Sequence, residues 1–304
     1  MIRPPGLLCL SSLVLFGLAS VSCISLSMAE EYYALGTAYF DLKKYGEAET
    51  WYGKSKFHRR TRSASEYNLG RIAYAVGRYD EAAGHFERVL ARDPENVTAL
   101  KAVAYTFVKT GNFVKAEEYY SRVLSLVPEG YDEGYNYALV LTAMDRNQEA
   151  EAVLIKYNIT DSADALFLLA LARKKQGKPE AADTFRASIL KKPSPRVRFE
   201  YGEFLEEQEQ FAKALEEYRL ALGGASQDGP APSLIKFRMA AALIKGDSVS
   251  TEGITLLQEA LNEGFLDKEA MEALLTSPKI PAAKKEELRK MLETYIQGGS
   301  KIKK

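Results

Sequence analysis

The sequence predicts an all-α protein, a solenoid of about seven helix-turn-helix repeats with C-terminal capping helices. Three observations lead to this prediction. Two helical patterns separated by a short turn recur with a period of about 34 residues, most clearly in residues 63–96. Two positions of this period carry only Gly or Ala, and a third carries only large apolar or aromatic residues. A small residue facing a large one, repeated along the chain, is the packing of a stacked helical core.

The first element, residues 1–22, has the pattern of a secretory signal peptide, with Arg3, an apolar stretch from Leu7 to Leu18 and small residues before Cys23. The run LASVSC resembles the lipobox of bacterial lipoproteins, whose cysteine is acylated and becomes the first mature residue. The resemblance implies a lipid on Cys23 and a membrane-anchored protein that faces the periplasm. The alternative is cleavage after Ala29, which would produce a soluble periplasmic protein.

After a short tether over residues 23–28, the repeats begin near residues 29, 63, 97, 131, 163, 195 and 233. Six of them fill residues 29–222, a Gly/Pro-rich linker follows over 223–232, and a degenerate seventh repeat covers 233–266. Two amphipathic segments within residues 267–297 are expected to form the capping helices, because the end of a solenoid exposes an apolar face. Residues 298–304 are expected to form a disordered tail.

The small and large positions define the register of the repeats. Position 8 is occupied by Gly36, Gly70, Ala104, Ala138, Ala170, Gly202 and Ala240. Position 20 is occupied by Ala48, Ala82, Ala116, Ala150, Ala181, Ala214 and Gly253. Position 24 is occupied by Tyr52, Phe86, Tyr120, Leu154, Phe185, Tyr218 and Leu257. We expect positions 8 and 20 to lie where the two helices of a repeat cross, because a minimal side chain lets the backbones approach closely.

Residues 63–96 resemble a tetratricopeptide repeat (TPR), whose signature spaces an aromatic residue, Leu-Gly, Tyr, Ala, Phe and Pro over 34 residues. With the lipobox, the whole chain resembles the TPR lipoproteins of bacterial envelopes. Those proteins are partner-binding subunits in pilus assembly, outer-membrane protein assembly or solute transport. The resemblance implies a non-enzymatic scaffold for protein–protein interaction, although TPR motifs specify an architecture and not an activity.

Charge and composition argue against several classes of function. Lys plus Arg and Asp plus Glu each total 41, so no net field attracts the chain to nucleic acid. His58 and His85 are the two histidines, and no metal-ligand pair, Gly-rich phosphate loop or GxSxG motif accompanies them. The sequence therefore predicts no catalysis, no cofactor and no metal.

The TPR resemblance implies a concave groove lined by the first helix of each repeat, at positions 2, 5, 9, 12 and 13. Position 5 is aromatic in six of the seven repeats, with Lys101 as the exception. The candidate partner-binding residues are Tyr33, Tyr67, Asn68, Arg71, Tyr74, Lys101, Tyr105, Tyr135, Phe167 and Phe199, among which Asn68 is at position 6. The alternative for the aromatic residues at position 5 is packing within and between repeats.

An aromatic groove suits a peptide or helix of another envelope protein, because aromatic side chains provide large contact areas at low entropic cost. Of the residues with which some TPR proteins clamp a carboxylate, only Asn68 has a match, which argues against that clamp. Arg71 and Lys101 remain candidates to receive an acidic group. The alternative function is a small-molecule or lipid carrier that uses the same groove or a pore, and self-association is a third.

The segment FHRRTR, residues 57–62, is the one notable basic cluster. Its functional interpretation is contact with anionic lipid head groups, because Cys23 precedes the first repeat by only a few residues. A solvated turn between repeats is the interpretation that a charge cluster of this length favours.

Overall fold

The computed structural model describes residues 28–128, 130–157, 161–224, 229–247 and 250–299, with side chains up to residue 293. The predicted signal peptide, Cys23 and residues 300–304 of the predicted tail lie outside this description. Within it, all regular secondary structure is helical. The helices are α1 (residues 28–41), α2 (Tyr45–Ser55), α3 (Arg62–Ala75), α4 (Tyr79–Leu90), α5 (Val97–Lys109), α6 (Phe113–Leu126), α7 (Tyr131–Ala143), α8 (Asn147–Lys156), α9 (Ala163–Lys175), α10 (Ala181–Lys191), α11 (Pro195–Glu207), α12 (Phe211–Gly223), α13 (Pro232–Gly246), α14 (Thr251–Asn262), α15 (Lys268–Thr276) and α16 (Ala282–Gly299).

Local sequence signals explain where several of these helices begin. The side chain of the residue before the helix accepts a hydrogen bond from a backbone N–H in its first turn, which satisfies a donor that has no partner within the helix. Asn96 does this for α5, Asn112 for α6 and Ser162 for α9. Pro195 and Pro232 open α11 and α13, at positions where the missing N–H costs nothing.

The chain forms two compact units, unit 1 up to Asp145 and unit 2 from Arg146 onward. In unit 1, consecutive helices from α2 to α7 pack against each other, and Tyr33 and Gly36 of α1 contact Tyr52 of α2. In unit 2, consecutive helices from α8 to α14 pack in the same way. The all-helical, pairwise-packed fold that the sequence predicts is confirmed, whereas the exact boundaries of seven repeats stay a prediction.

The small and large positions explain why the helices of a repeat pack closely. The Gly and Ala residues at positions 8 and 20 are all buried, and every residue at position 24 is at most 2% exposed. A methyl group on Gly70 would come within 2.6 Å of the Phe86 ring, and one on Gly36 within 2.7 Å of the Tyr52 ring. Since real Cβ atoms do not approach other atoms so closely, these glycines are required by the adjoining ring.

The C-terminal helices complete the core of unit 2. Met271 and Leu274 of α15 and Leu288 of α16 are at most 4% exposed, and they join one apolar cluster with Phe237 of α13 and Leu257 of α14. Thus α15 and α16 cover the apolar face of the α13–α14 pair, as a cap does.

The predicted linker over 223–232 is described at its two ends, and residues 225–228 lie outside the description. Across it, Tyr218 of α12 shares an apolar cluster with Ile235 and Met239 of α13. None of the helices in the described part of the chain is long and apolar enough to cross a membrane.

Candidate partner-binding site

Unit 1 carries two adjoining hollows that are lined mainly by the first helices of its repeats, and we call them together the aromatic cleft. The first hollow has a volume of about 290 Å³ and is lined by Phe40, Arg71, Tyr74, Ala75, Phe86, Ala102 and Tyr105. The second has a volume of about 380 Å³ and is lined by Tyr67, Val97, Thr98, Lys101, Ala102, Tyr105, Tyr120, Glu133 and Asn136. Ala102 and Tyr105 border both hollows, so a single bound segment can occupy both.

Tyrosine rings form the wall of the first hollow. The rings of Tyr74 and Tyr105 lie 5.6 Å apart, and Tyr79 packs edge-on against Tyr74 at 5.3 Å. Tyr105 is 43% exposed, which makes it the most accessible aromatic side chain of the cleft. Burial and a hydrogen bond with Tyr105 raise the pKa of Tyr74 above its ordinary value. The Tyr74 hydroxyl is therefore neutral at physiological pH, and the wall is an uncharged aromatic surface with polar edges.

Arg71 provides a positive charge at the edge of the first hollow. Its guanidinium lies 4.3 Å from the centre of the Phe40 ring, within the range of a cation–π interaction. It also donates a hydrogen bond of 3.0 Å to Oδ1 of Asn68, whose Nδ2 donates one of 3.0 Å to the Tyr33 hydroxyl. Asn68 is only 6% exposed. The predicted groove residue Asn68 is thus a buried side chain that orients Arg71 and Tyr33.

Lys101 and Glu133 form an ion pair at the second hollow. Glu133 is only 7% exposed. Burial by itself raises the pKa of its carboxyl, but the hydrogen bond and the charge of Lys101, together with a backbone hydrogen bond, outweigh this effect and lower the pKa below the ordinary value. The expectation that Lys101 receives an acid from a partner is corrected by this geometry, because Glu133 already supplies that acid. A sequence signal was present, since the one repeat with a cation at position 5 is followed by a carboxylate at position 3 of the next.

Most aromatic residues at position 5 pack against position 24 of the same repeat. Ring centres lie 5.4 Å apart for Tyr33 and Tyr52, 5.4 Å for Tyr67 and Phe86, and 5.6 Å for Phe199 and Tyr218. Packing therefore accounts for the recurrence of aromatic residues at this position. Tyr67 still lines the second hollow with one edge, whereas Tyr33 and Tyr135 are half-buried and lie outside both sets of lining residues.

The two predicted groove residues of unit 2 differ in exposure. Phe167 is half-buried, with the Arg196 guanidinium 5.6 Å from its ring. Phe199 is only 6% exposed and belongs to the apolar core. The expectation that Phe199 faces a partner is corrected by this burial, because the ring is enclosed in a cluster that includes Ile235 and Met239 of α13.

Unit 2 contains two smaller hollows of different character. One, of about 180 Å³, is lined entirely by charged residues, Glu203, Glu206, Glu207, Arg238 and Lys245. Arg238 pairs with Glu203 at 2.6 Å and Lys245 with Glu206 at 2.7 Å, so these charges already form ion pairs between α11 and α13. The other, of about 250 Å³, is apolar and is lined mainly by α12 and α13. Neither combines exposed aromatic rings with a cation as the aromatic cleft does.

The histidine that the sequence offers in α4 is a buried side chain in contact with Glu66 and Arg88. His85 is 7% exposed, and its Nδ1 lies 2.7 Å from Oε2 of Glu66 and 2.6 Å from a guanidinium nitrogen of Arg88. Arg88 also donates a hydrogen bond of 2.9 Å to Glu66. These contacts tie α3 to α4. Within the described residues, no group of three or more His, Cys, Asp or Glu side chains is placed to hold a metal ion.

Three curated proteins are similar in sequence to part of this chain. "Protein O-mannosyl-transferase TMTC1" of Homo sapiens is 28% identical over 166 residues, which cover 51% of this chain and 18% of that protein. "Uncharacterized protein ycf37" of Guillardia theta is 27% identical over 104 residues, or 31% of this chain and 56% of that protein. An "Uncharacterized lipoprotein" of Treponema pallidum (strain Nichols) is 25% identical over 150 residues, or 49% of this chain and 76% of that protein. The chain thus spans only part of the first two relatives.

Solved structures share the fold at low sequence identity. A tetratricopeptide repeat protein from Parabacteroides merdae ATCC 43184 matches with a TM-score of 0.60 and 18% identity, over 82% of this chain and 98% of that one. YrrB, described as a TPR protein with an unusual peptide-binding site, matches with a TM-score of 0.50 and 19% identity, over 58% of this chain and 93% of that one. At these identities the likeness shows a common fold and nothing further.

Models of the tetratricopeptide repeat match residues 29–56, 67–131 and 167–230, which together make up just over half of the chain. The matched regions include the helices that line the aromatic cleft, as far as α6. The matching models do not describe an enzyme family. The repeat is a scaffold typical of protein–protein interaction. The matching models, the paired helices and the buried small residues agree. The chain belongs to the tetratricopeptide repeat family.

Proposed function

We propose that the protein is a non-enzymatic interaction scaffold that binds a peptide segment or a helix of another protein in the aromatic cleft. The observation that carries this proposal is that accessible tyrosine rings and the Arg71 guanidinium, which the Phe40 ring holds in place, lie in one concave surface. Tyr105 and Tyr74 supply contact area on rigid side chains, which lose little entropy on binding. Aromatic and arginine side chains are also the residue types in which binding energy concentrates at interfaces.

The lining of the cleft defines the chemistry of its ligand. The first hollow is almost entirely apolar, so it suits an aliphatic or aromatic anchor side chain. Arg71 is exposed, and the Phe40 ring and Asn68 hold its guanidinium in place. A carboxylate next to the anchor can therefore form a charge-assisted hydrogen bond with it. We expect the bound segment to present an apolar anchor with an acidic residue beside it, on one helix face or on alternate positions of an extended chain.

Photo-crosslinking at Tyr105 in the native cell tests the proposal. A photoreactive amino acid at this position points into both hollows, whereas Tyr131, which is 38% exposed and lies outside their lining residues, provides a matched control. One dominant protein captured from Tyr105 and absent from Tyr131 supports the proposal. Equal labelling from both positions contradicts it, and capture of a second copy of this chain would indicate self-association.

Alanine substitution of Tyr105 is the quantitative test once a partner is known. Since the ring is an exposed contact surface, we expect Tyr105→Ala to weaken binding by about tenfold or more, which corresponds to about 1.4 kcal/mol or more. Tyr131→Ala should leave the dissociation constant unchanged. Tyr67→Ala is a poorer choice, because it also removes the ring that packs on Phe86.

The alternative is a carrier of a small molecule or lipid, and the second hollow of about 380 Å³ is large enough for a small ligand. Native mass spectrometry of the purified protein distinguishes the two functions. A retained molecule of defined mass, lost in a Tyr105→Ala variant, would support the carrier. A protein mass without an adduct, together with crosslinking from Tyr105, supports the scaffold.

We also propose that the protein is exported and anchored by a lipid on Cys23. The lipobox-like run LASVSC and the similarity to the Treponema pallidum lipoprotein support this location. Ala29 is 5% exposed and its carbonyl accepts a hydrogen bond of 2.8 Å from Ser55, so residues around Ala29 are part of the folded repeat. That contact argues against cleavage after Ala29, which would detach the start of α1.

Metabolic labelling with a radioactive fatty acid tests the anchor. We expect the wild-type protein to incorporate the label and to sediment with membranes, and Cys23→Ser to lose the label. Cys9→Ser is the control, since Cys9 lies within the predicted signal peptide. Labelling that survives in Cys23→Ser would contradict lipidation at this residue.

A further inference from the structure

The corner between α2 and α3 carries a concentration of positive charge. Residues 54–62, KSKFHRRTR, contain five Lys or Arg residues and no Asp or Glu. At the start of α1, Glu30 pairs with Arg60 at 3.4 Å, and Glu31 follows it in the chain. We call the following set the basic corner: Trp51, Lys54, Lys56, Phe57, Arg59 and Arg60.

Phe57 stands out from this corner with 76% of its surface exposed. Lys56 lies beside it, with its Nζ 5.8 Å from the ring centre. The loop is held by its own hydrogen bonds, since Arg62 donates to the carbonyls of Lys56 and Phe57 at 3.2 and 3.3 Å, and Thr61 donates to that of Ser55 at 2.6 Å. The exposure of Phe57 is therefore built into the conformation of the loop.

Two amphipathic aromatic residues adjoin this corner, Trp51 near the end of α2 and Tyr32 on α1. Nζ of Lys54 lies 4.3 Å from the Trp51 ring and 5.7 Å from the ring of Tyr32 on α1. The Tyr32 and Trp51 rings are 5.6 Å apart, and both are partly exposed. Trp and Tyr are enriched at the boundary between lipid and water, where Lys and Arg reach the head groups with their long side chains.

The basic corner lies next to the start of α1. The Ser55 hydroxyl donates to the carbonyl of Ala29 at 2.8 Å, and Arg60 reaches Glu30. The chain that precedes Met28 therefore joins the folded repeat at this corner. A surface that contacts a membrane is most effective at such a point, because any attachment through the preceding residues keeps it close to the bilayer.

We infer that the basic corner docks on the surface of an anionic lipid bilayer, with Phe57 inserted among the head groups and Lys54, Lys56, Arg59 and Arg60 over lipid phosphates. Charge alone is typical of a solvated turn, but a solvated turn does not require an outward phenylalanine in a loop that the side chains of Thr61 and Arg62 hold by hydrogen bonds. The inference is independent of the aromatic cleft and of the lipid on Cys23.

Trp51 makes the inference directly measurable, because it is the one tryptophan of the chain. The full-length protein, as wild type and as Cys23→Ser, is mixed with vesicles of phosphatidylcholine alone or of equal parts phosphatidylcholine and phosphatidylglycerol. We expect Trp51 emission to shift to the blue and to be quenched by brominated lipid on the anionic vesicles, for both proteins. The blue shift and the quenching should become smaller as the salt concentration rises, because ions screen the charges.

The decisive variant is Lys56→Gln/Phe57→Ser/Arg59→Gln, which leaves Ser55, Thr61 and Arg62 in place to hold the loop. Each Lys or Arg removed near an anionic surface should lower the partition coefficient about fivefold, so we expect a loss of about 25-fold or more. The matched control is Leu190→Ser/Lys191→Gln/Lys192→Gln, which removes an 86% exposed apolar residue and two lysines from unit 2.

Either of two results overturns the inference. One is that Trp51 fluorescence in the variant of the basic corner is quenched on anionic vesicles as strongly as in the wild type. The other is an equal loss in the control variant, which would show that net charge alone sets the partitioning. Circular dichroism of the variant checks that the fold is retained. A negative result in the vesicle experiment would leave the proposal for the aromatic cleft unaffected.

Discussion

Single methyl groups decide how closely the helices of a repeat approach each other. Gly70 and Gly84 lie in the two helices of the same repeat, yet their surroundings differ. A Cβ on Gly70 would meet the Phe86 ring at 2.6 Å, whereas a Cβ on Gly84 would meet only the guanidinium of Arg88 at 3.6 Å. This pair therefore separates the packing requirement from the general cost of glycine in a helix.

We expect Gly70→Ala to lower the free energy of unfolding. Overpacking of a filled core costs about 1–3 kcal/mol, which exceeds the roughly 0.5–1 kcal/mol that alanine gains over glycine in a helix. Gly84→Ala should instead raise stability by about 0.5–1 kcal/mol. Urea denaturation of the two variants measures both effects. If both substitutions stabilise the protein, contact with the Phe86 ring is not the reason why position 70 requires glycine.

The ion pair of Lys101 and Glu133 predicts a pH-dependent effect. In the wild type the pKa of Glu133 lies below its ordinary value of 4.5, so the pair contributes stability above that pH and loses it as the pH falls through the lowered pKa. Lys101→Met leaves the carboxylate buried without this partner. We expect a loss of about 1–3 kcal/mol at neutral pH.

This loss should shrink when Glu133 becomes protonated, because a neutral carboxyl no longer needs a cation. Denaturation curves of wild type and Lys101→Met at pH 7 and at decreasing pH down to acid conditions give the difference directly. Lys192→Met, at an exposed position of unit 2, is the control and should show little change at any pH. A difference that stays constant with pH would contradict the assignment of the effect to Glu133.

At the scale of elements, the turn between the two helices of a repeat has a recurring backbone conformation. One residue in this turn has a positive φ, namely Lys43, Gly77, Gly111, Asp145, Gly177 and Glu209 in successive turns. The left-handed region is strained for residues with a Cβ, and this explains the glycines. The same conformation also occurs where the sequence supplies Lys, Asp or Glu.

The turns of α1–α2 and α5–α6 give a reciprocal test. Gly111 has φ of 73° and its Cβ position is open, so Gly111→Ala should cost about 1 kcal/mol through backbone strain alone. Lys43 has φ of 58°, and Lys43→Gly should be neutral or stabilising because the strain is relieved. Lys44, with φ of −84°, serves as the control, and Lys44→Gly should destabilise. Thermal denaturation ranks the three variants, and a stabilising Gly111→Ala would contradict this account.

At the scale of the whole molecule, each helix pair depends mainly on its neighbours. Residues of α3 to α7 contribute to one apolar cluster in unit 1, and those of α9 to α14 to another in unit 2. In repeat proteins, stability is approximately the sum of contributions from each repeat and from its interfaces with adjacent repeats. A local defect should therefore have a local effect on hydrogen exchange.

Hydrogen–deuterium exchange of Gly70→Ala measures how far the defect spreads. We expect faster exchange in α2 to α5, which are the helices of the affected repeat and its neighbours. Amides of α11 to α14 in unit 2 should exchange at wild-type rates. Equal acceleration in both units would instead show that the protein opens in a single all-or-none step.

The candidate site was predictable only in part. Tyr74, Tyr105 and Arg71 line the aromatic cleft where the repeat register places them, because position in a periodic helix fixes the face of a side chain. Phe199 shares the register of Tyr33 and Tyr67 yet lies in the core, because it belongs to a buried apolar cluster that includes Ile235 and Met239 of α13. A register assigns a face to each residue, and neighbouring helices determine how much of that face is covered.

The sequence by itself determined the helical pairs, the small residues at their crossings and the rings that fill them, because period and side-chain volume are local properties of the chain. Only the tertiary structure decided that Glu133 satisfies Lys101, that Asn68 of α3 meets Tyr33 of α1 and that Phe57 faces outward. Each of these depends on groups brought together from different helices, or on the absence of a covering neighbour among the described residues. Such distances arise when the helices pack, and no periodicity in a single segment encodes them.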